Sequence, residues 1–215
     1  MRGLFHPDSK LMQVLGFVAD LFLLNMLFLL CCVPIFTIGA AQAGLHSAAR
    51  ILQDPQDDRS VYKAFFRGFK DGFGRVTVAW VLVLLLVLIT FYTLVMAWSY
   101  AEEGIFIPWP VPLILLCPLL VYHAMVPLLH SQFGCTLSQL LKNCLLMLIW
   151  HPIASLGTGI LVNLPAVMFL VVPELTLQLG LLFIAAYFSL AFMFAYLLTR
   201  KAFKTVIDEF NREKE

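Results

Sequence analysis

Charge is what this chain has least of. Only 13% of its 215 residues are Asp, Glu, Lys or Arg, about half the share usual in a soluble globular domain. That is too little to clothe a water-facing surface of this size, which excludes an ordinary soluble enzyme, a secreted disulfide scaffold and a disordered chain. A cationic surplus is missing as well. The formal net charge is +1, and nucleic-acid binding needs a clustered excess of Lys and Arg. The five cysteines, Cys31, Cys32, Cys117, Cys135 and Cys144, form no Cys-x-x-Cys pair, so they are read as small apolar groups. No Walker-type loop, Gly-x-Ser-x-Gly elbow, His-Glu-x-x-His or dinucleotide fingerprint occurs. The chain thus carries no nucleotide engine of its own. No catalytic, metal or cofactor residue is expected, and the protein is not read as an enzyme.

Hydrophobicity dominates instead: 61% of residues are apolar and the mean hydropathy is +0.92. A helix crossing roughly 30 Å of hydrocarbon needs about 20 mostly apolar residues. Five stretches qualify, at about residues 11–38, 76–100, 111–129, 145–172 and 175–199. The expected fold is an all-α, polytopic transmembrane bundle forming a single domain over 1–215, with a helical segment at 40–75. The first apolar run has no small-x-small cleavage site and is expected to stay as a span. Asp20 lies within it, and a carboxylate near the bilayer centre costs about 2.5–3.5 kcal/mol on insertion scales. A shorter span at 21–38 puts Asp20 at the interface, with residues 11–19 along the membrane surface, and is preferred. Only Pro173 and Glu174 separate the last two spans, which predicts a tight hairpin.

Basic residues set the expected orientation. Twelve of the fourteen fall in 39–75, in the loop before the fourth span and in the C-terminal tail. The intervening short loops hold Glu102, Glu103 and Glu174. The C-terminus is therefore expected in the cytoplasm and the N-terminus outside. Trp98, Tyr100 and Trp109 bracket the Glu102–Glu103 loop as an interfacial belt, and Trp80 marks the inner end of the second span.

The segment at 40–75 is the most informative. Ala40, Ala43, Gly44, Ser47 and Ala48 share one helical face, read as packing against a neighbouring span. After an exposed turn at 53–58 come Tyr62, Phe65, Phe66, Phe69 and Phe73, within an arc of about 100° at 3.6 residues per turn. Lys63, Arg67 and Lys70 flank them. This pattern predicts an interfacial amphipathic helix, read first as lying on the lipid bilayer and alternatively as a docking surface for a partner. Gly68, Gly72 and Gly74 permit close approach or a hinge.

Polar groups inside the spans are few. Asp20, Asn25, His123 and Asn163 are the candidates for an intramembrane polar site. Pro34, Pro118, Pro127, Pro152 and Pro165 fall in the spans too, and interrupted helices beside polar side chains can mark a transport site. Kinks for packing are the plainer reading. His123 and His130 stand seven residues apart, about 10.5 Å along a helix axis, too far to share a zinc ion without a kink.

Asn25, the apolar run after it, Pro34-Ile35-Phe36-Thr37-Ile38-Gly39 and the small-residue helix resemble the signature of the YesL family, small bacterial membrane proteins of unknown function. Phe65-Phe66-Arg67-Gly68-Phe69-Lys70 is similar to that family's aromatic-basic stretch. Phe28 stands where a Trp is common, and Ala40 where a Pro often follows the Gly. The resemblance implies a bacterial cell-membrane protein encoded near sugar ABC importers, with Asn25, Pro34, Thr37 and Gly39 as structural signature. In physical terms Pro34 ends the first span, Thr37 caps the next helix and Gly39 permits a turn. The expected function is that of an accessory or interaction partner of a carbohydrate ABC importer, with permease subunits as partners; the alternative is a small-solute transporter or channel using the kinked helices. Site-specific labelling should place the Phe-rich stretch and the C-terminus on the same side of the bilayer, and opposite sides would overturn the orientation.

Overall fold

The computed structural model describes residues 10–54, 60–102, 110–134 and 136–212. Every regular element in them is helical: α1 (Lys10–Cys31), a 3-10 turn (Ile35–Thr37), α2 (Ile38–Leu52), α3 (Val61–Gly72), α4 (Arg75–Glu102), α5 (Pro110–Phe133), α6 (Leu137–Trp150), α7 (Pro152–Val171), α8 (Pro173–Gln178), α9 (Gly180–Leu182), a π turn (Phe183–Tyr187) and α10 (Phe188–Arg212). Five helical stretches are long and apolar enough to cross a membrane: Leu11–Cys31, Arg75–Tyr100, Pro110–Phe133, Pro152–Val171 and Gly180–Phe203. The chain is a multi-pass membrane protein built as a helical bundle. Of the sequence landmarks, Arg2, Pro55, Arg59, Glu103, Trp109, Cys135 and Lys214 lie outside the described residues.

Helix ends depart from the apolar runs at Pro34, Pro152 and Pro173, whereas Pro118, Pro127 and Pro165 lie inside continuous helices. The first span ends at Cys31 rather than Ile38, because Pro34 cannot donate to a helix and holds an extended backbone (φ −79°, ψ 119°). Its helix also begins before Leu11 and runs unbroken through Asp20, which corrects the shorter span. Residues 11–19 are all exposed, and burial begins at Leu21. The apolar run at 145–172 is split at His151, where Pro152 opens α7. Pro173 likewise opens α8, so a short helix stands where a tight hairpin is expected.

The largest surprise is α2. It is too short to be a span, yet Gly39–Leu45, His46, Ala48, Ala49 and Ile51 are all buried. It packs against α1, α3, α4, α5 and α10. One apolar cluster joins Ala43 to Val76, Val121, Met125, Leu140 and Phe203. The other joins Leu45 and Ala48 to Leu24, Phe28, Phe65, Val162 and Phe192. Both contain residues of α2, α5 and α10, and from His123 to His130 every residue of α5 is buried.

Small residues make this central position possible. A Cβ on Gly39 would stand 2.7 Å from both Cβ and Cγ of Trp80. Gly39 therefore serves close packing inside α2 rather than a turn, against a Trp80 that is 3% exposed near the start of α4. The small face of α2 meets α3 more than any span: a Cβ on Gly68 would collide with the Ser47 hydroxyl, and one on Gly72 would lie 3.1 Å from the Ala43 methyl.

Burial also confines His46. Its ring packs on Phe192 with centroids 4.4 Å apart, and neither ring nitrogen has a partner among the described residues. Loss of hydration pulls its pKa from 6.5 down to about 3. The unfolded chain therefore takes up a proton below about pH 6.5 that the folded state refuses. The stability from neutral His46 is complete above that pH and is lost as the pH falls toward 3. Thermal unfolding in detergent will show a shallower acid loss for His46→Leu than for the parent. In the same assay Gly39→Ala lowers stability by about 1–3 kcal/mol through overpacking. Gly16→Ala, with nothing within 4 Å, instead gains up to about 1 kcal/mol of helix propensity.

Candidate functional site

The amphipathic pattern of α3 resolves into two faces once α2 is in place. Phe65 is fully buried, under the small residues of α2 and edge-on to Phe66 at 5.6 Å between centroids. Phe69 is partly buried and stacks on Phe65. Phe65 is thus removed from the expected docking stripe, because Gly44 and Gly68 bring the two backbones close enough to cover it. Burying one Phe is worth about 1.5–3 kcal/mol, enough to offset two helical glycines at about 1 kcal/mol each. The outward face keeps Phe66 and Phe73, 54% and 48% exposed, together with exposed Lys63, Arg67 and Lys70. Tyr62 lies at the margin, half-buried, and its hydroxyl donates to Asp20 Oδ1 at 2.6 Å. Burial and the facing carboxylate push the Tyr62 phenol up to about 12, so it stays a donor at any working pH.

Beside that face, between α2, α3 and the end of α5, lies a cavity of about 320 Å³ lined by Ser47, Arg50, Lys63, Arg67 and Ser131, among others. Arg50 and Ser131 carried no signal in the sequence beyond being polar residues near helix ends. His46 carried none either.

The four candidate intramembrane polar residues are not gathered. Asp20 is taken by Tyr62. Asn25 is fully buried and bonds the π turn: its Nδ2 donates to Phe183 O at 3.0 Å and Ile184 O at 2.5 Å, and its Oδ1 accepts from Ser189 N–H at 3.2 Å. Ser189 Oγ returns a bond to Leu21 O at 2.9 Å. Asn25 is therefore a staple between α1 and the last span, with its carboxamide occupied. His123 and Asn163 do lie together, on α5 and α7. Asn163 donates to Leu120 O and Gly159 O, and the His123 ring packs on Trp80 at 4.7 Å and interacts with the Asn163 side chain. His130 instead reaches the backbone of Asp71, and His151 sits at the break between α6 and α7. Among the described residues no group of three or more His, Cys, Asp or Glu is placed to hold a metal ion.

The signature residues act differently from their expected roles. Thr37 makes no cap bond to α2. Its hydroxyl faces back to the carbonyls of Cys31 and Pro34, each at 2.6 Å, and so satisfies the end of α1. The helix break after Cys31 leaves the Cys31 carbonyl without a helical donor, whereas the Pro34 carbonyl also accepts from the Thr37 N–H at 3.0 Å.

Residues 21–94 match a family described as a protein of unknown function, DUF624. The match takes in Asn25, the Pro34 break and all of α2 and α3. None of the curated proteins and none of the solved structures matches the chain.

The role of the Asn25 staple can be measured directly. Asn25→Leu strips donors from two carbonyls of the π turn, at about 1–3 kcal/mol for each buried group left unpaired. A clearly lowered melting temperature in detergent will report it.

Proposed function

We propose that this protein is a membrane-integral accessory of a carbohydrate ABC importer, engaging a permease subunit through the outer face of α3. The single observation behind this reading is that Lys63, Phe66, Arg67, Lys70 and Phe73 are presented together, exposed, on a helix locked to α2 by glycine contacts. Rigid aromatic anchors flanked by cations are the composition of interface hot spots, since they lose little side-chain entropy on binding. The choice of an importer rests on the resemblance of Asn25, Pro34, Thr37 and Gly39 to the YesL signature. In this reading the protein sits in a bacterial cell membrane, with α3 and the C-terminus in the cytoplasm and the N-terminus outside.

The test is co-purification of the tagged, full-length protein in mild detergent. Importer permease or ATPase subunits should come down with it. The Phe66→Ala/Phe73→Ala double variant should lose at least about tenfold in recovery, the effect of removing a hot spot worth about 2 kcal/mol. Failure to recover any importer subunit overturns the reading.

One observation favours a second reading, a small-solute transporter or channel: buried His123, on the helix α5 that contains Pro118 and Pro127, interacts with the Asn163 side chain of α7. Solute flux in liposomes, abolished by His123→Leu, is its signature; an unaltered flux in that variant removes it.

A further inference from the structure

The cavity beside α3 is built from cations that are not neutralised by the described residues around them. Arg50 reaches it from the last turn of α2, and Lys63 and Arg67 from successive turns of α3. Among the described residues none of the three is in an ion pair or a side-chain hydrogen bond. Asp71 is the one carboxylate among the described lining residues, so three positive charges face one negative. Three cationic side chains from two helices thus surround a space of about 320 Å³ that an anion can enter.

The remaining lining suits the same anion. Ser60 is the N-cap of α3, and its hydroxyl makes no cap bond. The first N–H groups of this twelve-residue helix therefore lack a side-chain cap at the cavity edge, where the helix dipole is positive. Ser47 and Ser131 hydroxyls donate to Ala43 O and Leu128 O, and each can rotate toward an incoming oxygen. Guanidinium forks match tetrahedral oxyanions bidentately, whereas an ammonium adds a point charge. Gly68 on the lining lets α3 approach Ser47 closely, which brings Arg50 and Arg67 to one space from two helices.

We propose that Arg50, Lys63, Arg67 and Ser60 form a binding site for a phosphate group. Its source is either an anionic phospholipid headgroup or free phosphate. The exposed Phe66 and Phe73 beside the cations would let α3 lie against the acyl boundary while the cavity takes the headgroup. The site shares Lys63 and Arg67 with the face proposed to engage a permease, but its binding is read on the purified protein without any importer subunit, so the two readings fail separately.

The experiment uses purified, full-length protein in two arms. One titrates inorganic phosphate against protein in detergent. The other compares nanodiscs of phosphatidylcholine with and without phosphatidylglycerol, reading thermal stability and retained lipid phosphorus. Stabilisation by phosphate in the first arm identifies a soluble ligand; retention of phosphatidylglycerol in the second without a phosphate effect identifies a lipid one. In the arm that responds, Arg50→Gln or Arg67→Gln weakens binding about tenfold or more, as expected for a charge-assisted pair. Lys63→Gln, at an exposed position, serves where Arg50→Gln fails to fold. Lys70→Gln removes the same charge from the same helix but lies off the cavity, and it changes binding by no more than about twofold. No response in either arm overturns the site. Equal losses in Lys70→Gln and the cavity variants also overturn it, because they would mark attraction to surface charge alone.

Discussion

The near-contact of two helix backbones, α2 on α3, is the constraint on which the rest of this bundle rests. Ala43, Gly44 and Ser47 on one side and Gly68 and Gly72 on the other leave no room for a further methyl group. In lipid the hydrophobic drive between helices vanishes, so association relies on dispersion and close fit. That fit draws α2 inward until it is wrapped by spans, and it turns Phe65 and Phe69 under cover. The cations of α3 then have only the outer face available. The same approach shapes the cavity that Arg50 and Arg67 share.

A second constraint is the need to satisfy every backbone group where water is absent. The interruptions of the spans have identifiable remedies. Pro165 has no N–H, so the Leu161 carbonyl four residues earlier loses its helical donor; Tyr187 Oη donates to that carbonyl at 2.8 Å. The π turn at Phe183–Tyr187 leaves carbonyls out of the α-helical pattern, and Asn25 takes two of them. Thr37 serves the end of α1. The polar residues that stand out in the apolar runs are mostly such remedies. Asn25, which as an isolated polar group in a span suggests a transport site, is for this reason a structural clamp, and Asp20 ties α1 to α3 through the Tyr62 hydroxyl.

Among the described residues satisfaction is incomplete at several buried atoms, including Gln42 Oε1, both His46 nitrogens and Trp80 Nε1, and at the cations of the α2–α3 cavity. The buried atoms are enclosed by packed neighbours, whereas the cations open onto a space able to hold a ligand. Function is more economically assigned to the latter, since an exposed aromatic-basic face continues directly from it.

The number of helices able to span a membrane and the amphipathic character of residues 62–73 were legible in the one-dimensional pattern. They follow from composition and from a 3.6-residue period, which are local properties. The ends of the second span, 76–100 against Arg75–Tyr100, were legible from hydropathy, whereas Pro34, Pro152 and Pro173 each moved a boundary that hydropathy alone misplaces. The partners of Asn25, Thr37 and Gly39 were not legible at all. Asn25 meets a carbonyl 158 residues away, and Gly39 meets the ring of Trp80. Local chemistry determined that this chain belongs in lipid as a set of helices. Which small residues touch, which aromatic ring is hidden and which cations are left facing a common space were decided by tertiary packing, because those outcomes depend on distances between elements that no window of sequence contains.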